Sequence, residues 1–271
     1  MARAEPNGLA LRIVSALVLA PVALGAAWLG GTAFALLVLV AAAGMGWEWA
    51  RLTGCAEGAL GTLIIVAAMV PTLAMALAGV RLAMALVIAA AAAIWLAARR
   101  GDRPAALWAG LGVAWIALPC AAVLALSADR DAGRAAILWL FATVWATDTG
   151  AYAAGRAIGG PRLAPRISPN KTWSGFLGGL CAAGLVAWAT ARLTGAAAGA
   201  VIPAGLAMSV AAQIGDLAES LAKRRFGVKD AGHLIPGHGG LLDRLDGMLT
   251  AAALQWLLTL ACGASPLQWP A

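Results

Sequence analysis

The sequence predicts an all-α, polytopic integral membrane protein with about nine transmembrane helices and a cytoplasmic N-terminus. Three observations predict it. Apolar residues make up 62% of the 271 and charged residues only 11%, where soluble domains carry about a quarter charged. The apolar residues fall in runs of about 20, the length that crosses a bilayer as a helix with its backbone satisfied internally. A membrane β-barrel would alternate apolar and polar residues over about 10 positions, and this chain does not.

Taken in order, the spans are expected at 9–30, 32–50, 59–79, 81–98, 104–127, 134–155, 173–194, 197–222 and 243–262. The first begins with Arg12 before an apolar run, like a signal peptide, but the many spans that follow favour a retained helix. Pro21, Pro71 and Pro119 fall inside spans, where neighbouring helices tolerate a kink. The many glycines and alanines permit close helix packing. No internal repeat or soluble domain interrupts the series, so residues 1–271 read as one transmembrane domain, with the polar chemistry gathered at about 134–262.

The net charge of +7 lies in short loops. Positive-inside topology and anionic headgroups explain it better than nucleic acid, and no nucleic-acid partner is expected. With the N-terminus inside, 15 of the 19 basic residues face the cytoplasm and only Arg81, Arg130, Arg134 and Arg192 lie outside. The four cysteines, Cys55, Cys120, Cys181 and Cys262, have no metal or disulfide spacing and read as packing residues.

Chemistry concentrates near the end. Asp216, Glu219, Ser220 and Lys223 follow at i, i+3, i+4 and i+7 and share one face of the eighth span. A Glu219–Lys223 ion pair is the plain reading of part of that face, but it leaves Asp216 unexplained, and acids inside a span normally face protein or a wet cavity. The ninth span opens on Asp243 and Asp246, which either complement the helix dipole or join the Asp216 face as hard oxygen ligands suited to Mg²⁺. Between them runs "GHLIPGHGG". Its glycines permit close backbone approach, and the next helix N-terminus offers N–H groups to an anion. His238 reads as a phosphate contact and His233 as incidental. Asp148, inside the sixth span, is a candidate on the same grounds as Asp216. "RISPNKTWSG" offers Ser168, Asn170, Lys171 and Thr172, either as an anion site or as a capped helix start. Sixteen basic residues are arginine, and the three lysines, Lys171, Lys223 and Lys229, all fall in these polar stretches. Lysine supplies the compact charge a phosphate site uses.

"SLAKRRFGVKDAGHLIPGHGGLLDRLD", Ser220 to Asp246, resembles the signature of the phosphatidate cytidylyltransferases, also called CDP-diacylglycerol synthases. The matching positions are Ser220, Lys223, Arg224, Lys229, Asp230, His238, Gly239, Gly240, Asp243, Arg244 and Asp246. "TDTGAY" and "SPNKTWSG" look like further family segments. Ala222 replaces a larger apolar residue, and Ser174 stands where the family commonly has glutamate.

The resemblance implies a catalytic domain that converts CTP and phosphatidic acid to CDP-diacylglycerol and pyrophosphate with Mg²⁺, in a cell-membrane homodimer among membrane lipids. It implies Asp216 and Asp243 as metal ligands. Asp246, Glu219 and Asp148 are read as further ligands, or as holding a second, monovalent or divalent, cation. Lys223, Arg224, Lys229 and Arg244 are assigned to phosphates, and Ser168, Lys171 and Thr172 to closing the anion site. Ser220, Asp230, His238, Gly239 and Gly240 are assigned to substrate binding.

Competing readings are weaker. A secondary transporter should show two related halves, and none is visible. A CDP-alcohol phosphatidyltransferase needs an Asp-x-x-Asp-Gly opening, where "DTGAYAAGR" has one aspartate. A purely structural membrane protein has no use for the 229–246 cluster.

Overall fold

The computed structural model describes residues 7–99, 103–237 and 239–269. Among them are nine α-helices: α1 (Asn7–Leu29), α2 (Gly31–Leu52), α3 (Gly58–Ala78), α4 (Val80–Ala98), α5 (Arg103–Ser127), α6 (Gly133–Ala157), α7 (Trp173–Thr194), α8 (Ala198–Arg225) and α9 (Leu242–Cys262). Every expected span has its helix, and no end is displaced by more than three residues. Seven of them, α2 to α5 and α7 to α9, are long and apolar enough to cross a membrane. Of the other two, α1 runs Asn7–Leu29 and α6 is diluted by Thr147, Asp148 and Thr149.

The helices run through Pro21, Pro71, Pro119 and also Pro203. Helices α3 and α7 each end on a glycine of positive φ. Gly79, at φ 86°, breaks α3 from α4, and Gly195, at φ 73°, caps α7; a side chain at either position would be strained.

One element departs from the all-helical expectation. The segment read as a loop before α7 is a two-stranded antiparallel hairpin, β1 (Arg162–Ala164) and β2 (Ser168–Thr172), pairing Arg162 with Thr172 and Ala164 with Ser168. Strands this short carry too few residues for an alternating pattern to show in the sequence.

The chain packs as two units, each assembled from separate stretches. The first comprises Met1–Ala117 and Val228–Arg244. In it α2 packs on α3, and α3 on α4. Trp49 of α2 lies over Gly112 of α5, where an added Cβ would sit 1.8 Å from the indole, and its Nε1 donates to the Trp108 carbonyl at 3.0 Å.

The second unit comprises Leu118–Gly227 and Leu245–Ala271. Here α6 and α7 meet at Gly150 and Gly178: a Cβ on either would lie 2.7 Å from the other's carbonyl oxygen. Such small-residue seams let membrane helices gain dispersion contacts that lipid cannot match. Gly215 of α8 sits against the Asp246 carbonyl and Thr250 of α9, 2.7 and 2.1 Å from where its Cβ would be. Buried polar side chains find partners across the same helices. Thr147 Oγ1 donates to Ser209 Oγ at 3.0 Å, and Gln255 Nε2 donates to the Ala136 carbonyl at 3.1 Å.

Candidate active site

Within the second unit, the close approach at Gly215 brings the acids of α8 and α9 together. Asp246 lies beside Asp216, hydrogen-bonds with the Glu219 carboxyl group and is within electrostatic reach of Lys223. Its Oδ1 also accepts the Gly247 N–H at 2.7 Å. The Lys223 ammonium donates to Glu219 Oε2 at 3.0 Å, one helical turn away, and Glu219 is 1% exposed. Lys171, on β2, ion-pairs with Asp216 Oδ2. Ser220 Oγ approaches Asp216 Oδ1 at 3.5 Å. Three carboxyl groups and two ammonium groups therefore meet here, joining α8, α9 and the hairpin. Side-by-side carboxylates repel unless positive charge lies among them, which the two lysines supply in part.

The other residues expected from the hairpin segment divide. Thr172 is buried and N-caps α7, its hydroxyl accepting the Gly175 N–H at 3.1 Å and sharing a hydrogen bond with Ser174 Oγ at 2.9 Å. Of the two readings of this segment, the capped helix start is formed at Thr172. Ser174, in the position where glutamate was expected, donates to the Gly159 carbonyl at 2.5 Å and ties the hairpin's base to the end of α6. Ser168 opens β2 and is half-buried. Arg224 Nε donates to the Ile167 carbonyl at 3.3 Å, so its guanidinium leans onto the hairpin. Asp148 is exposed on α6.

Within the first unit, the glycine loop folds around two carboxylates. Asp243 accepts the Ala231 N–H at 3.0 Å and the Gly240 N–H at 3.1 Å, both through Oδ2. The second is Glu48 of α2, fully buried, which accepts the Leu241 N–H at 2.9 Å and the Leu242 N–H at 2.7 Å. This revises the expectation that the α9 N-terminus offers these amides to an exogenous anion: the anion there is the chain's own Glu48. Gly239 donates to the Ile235 carbonyl, so the amides of Gly239 and Gly240 both serve the loop. Lys229, Asp230 and Arg244 are exposed around it. His238 lies outside the described residues, as do Arg3 and Arg100.

Glu48 is the residue the sequence reading passed over. The signal was present, since an acid within the second span is a candidate by the rule applied to Asp148.

Among the described residues, no three His, Cys, Asp or Glu side chains converge as ligands of one metal ion. Mg²⁺ seldom asks for that. It keeps several waters and is typically bound by one or two carboxylates together with substrate phosphates, a donor set that Asp216 and Asp246 fit.

Residues 10–262 match the model of the cytidylyltransferase family. The chain belongs to that family. It is 40% identical over 254 residues to a protein named phosphatidate cytidylyltransferase from Brucella suis biovar 1, covering 93% of each chain. A protein of the same name from Pseudomonas aeruginosa is 39% identical over 264 residues, 90% of this chain and 96% of that one. Another, from Staphylococcus aureus, is 47% identical over 122 residues, 44% of this chain and 47% of its own. As a cytidylyltransferase-family member, the chain has both polar clusters, around Asp216 and around Glu48, inside the matched region.

Proposed function

We propose that this chain transfers the cytidylyl group of CTP to phosphatidic acid, giving CDP-diacylglycerol and pyrophosphate for phospholipid biosynthesis. The observation that carries the reading is the Asp216–Glu219–Asp246 carboxyl cluster with Lys171 and Lys223 upon it, in a chain of this family. Both substrates are anionic and one is a lipid. Lysines and carboxylates at the end of spanning helices suit that pair better than a soluble nucleotide alone.

In this reading a phosphate oxygen of phosphatidic acid attacks the α-phosphorus of CTP, and pyrophosphate leaves. The protein supplies no covalent nucleophile; positioning and charge neutralisation carry the rate. Lys171 and Lys223 exchange carboxylate partners for substrate phosphates, with Lys229, Arg224 and Arg244 as exposed cations that attract them. Ser220 and Asp230 orient the same groups. Asp216 and Asp246 would hold Mg²⁺, which when bound supplies charge neutralisation on the phosphates. Asp243 and Glu219, with Asp148, are kept as carboxylates for that ion or for a second, monovalent or divalent, cation.

The 15-to-4 division of basic residues supports a site on the cytoplasmic side of the inner membrane, where CTP is available. A homodimer is the assembly expected of it.

The test is purified protein in detergent with labelled CTP and phosphatidic acid, with and without EDTA. A lipid-soluble cytidine product that needs both substrates and vanishes with EDTA is expected. Product formed without phosphatidic acid, or none under any condition, would refute the proposal.

A further inference from the structure

A carboxylate buried within a spanning helix is retained only where something satisfies both its oxygens. Glu48, four residues from the end of α2, is 0% exposed. Its oxygens accept the N–H groups of Leu241 and Leu242 at 2.9 and 2.7 Å, and the Leu234 N–H reaches it as well. Leu241 immediately precedes α9 and has no side-chain acceptor of its own. Glu48 therefore does for α9 what a local Ser, Asp or Asn cap would do, taking first-turn amides and setting negative charge against the helix dipole. It does so from 193 positions away in the chain.

The loop is shaped to receive it. A Cβ on Gly232 would lie 2.5 Å from Glu48 Oε1, and one on Gly240 would lie 3.0 Å from Oε2. Gly44, one turn before Glu48 on α2, leaves room for the Leu241 side chain, which a Cβ there would meet at 2.9 Å. Asp243 then closes the loop from within through Ala231 and Gly240.

We infer that Glu48 is a positioning residue that anchors the 231–242 loop and the first turn of α9 to α2, holding ready the loop flanked by Lys229, Asp230 and Arg244. The inference rests on the proposed reading of that loop as substrate-binding. Without the anchor the loop samples other conformations, and substrate binding must reorder it. Apparent affinity then falls by the fraction of time the competent form exists, while turnover at saturation is largely kept.

The test uses full-length Glu48→Gln protein in detergent. Gln preserves the shape, but its amide NH₂ faces a backbone N–H it cannot accept. Hydrogen exchange at residues 231–242 should speed up about tenfold, with α3 and α7 unchanged. The KM for CTP should rise about tenfold, with kcat within about twofold. If Glu48→Gln fails to fold, Gly232→Ala presses the same contact open from the loop side and should give the same pattern. Wild-type exchange and wild-type KM in a folded variant overturn the inference, as does a fall in kcat alone. Faster loop exchange with wild-type KM and kcat supports the anchor and refutes instead the reading of the loop as substrate-binding.

Discussion

Lys171 of β2 is ion-paired with Asp216 of α8, so a residue of the hairpin partly neutralises an acid of the helical cluster. Both side chains are partly exposed, 24% and 39%. The pair is therefore expected to contribute little to stability, since exposed ion pairs yield about 0–1 kcal/mol. Lys171→Met should leave the melting temperature in detergent nearly unchanged. It should raise the KM for CTP about tenfold, the loss of one charge-assisted phosphate contact of about 1.5 kcal/mol. An unchanged KM would remove Lys171 from the substrate site.

Gly215 sets the distance between the helices that carry Asp216 and Asp246. A Cβ there would press on Thr250 Oγ1 and on the Asp246 backbone carbonyl. Small misplacements of reacting groups cost up to about a hundredfold in rate. Gly215→Ala should therefore cut kcat about tenfold or more. Gly205→Ala, which presses on Ala187 of α7 at 2.7 Å in the same unit, should lower stability without a comparable loss of turnover. Equal losses in both would contradict a role for Gly215 in spacing the acids.

Thr172 caps α7 through the Gly175 N–H. Thr172→Ala should cost about 1 kcal/mol of stability, and Thr172→Ser should restore most of it. Thermal unfolding in detergent would read both. Loss of CTP affinity without loss of stability would assign Thr172 to the anion site rather than to the cap.

Topology offers an independent check. In a cysteine-free background, a cysteine replacing Lys229 should react with an impermeant maleimide only in inside-out vesicles. One replacing Ala196, after α7, should react in intact cells stripped of their outer membrane. The reverse pattern would invert the assigned orientation and place the site where CTP is scarce.

Much of the fold was legible because apolar runs of spanning length leave the backbone one option. That is why, among the described residues, nine helices appear where nine runs stand. The meeting of Asp216 with an α9 acid was also legible, since i, i+3 spacing puts such residues on one face. Which α9 acid faces it was not. Asp243 and Asp246 look alike in sequence, and only the seam at Gly215 and the amides of the glycine loop separate them. The hairpin was too short to leave a pattern, and the role of Glu48 depends on a contact between residues 193 positions apart, which no local spacing encodes.

The central claim is that Asp216 and Asp246 together hold the divalent cation of cytidylyl transfer. Its most direct test is the Mg²⁺ titration of turnover in Asp246→Asn protein beside the wild type. The account predicts a loss of about 10²- to 10³-fold in kcat/KM with a higher Mg²⁺ requirement in whatever activity remains. Wild-type turnover at the wild-type Mg²⁺ midpoint in a folded Asp246→Asn protein would contradict it.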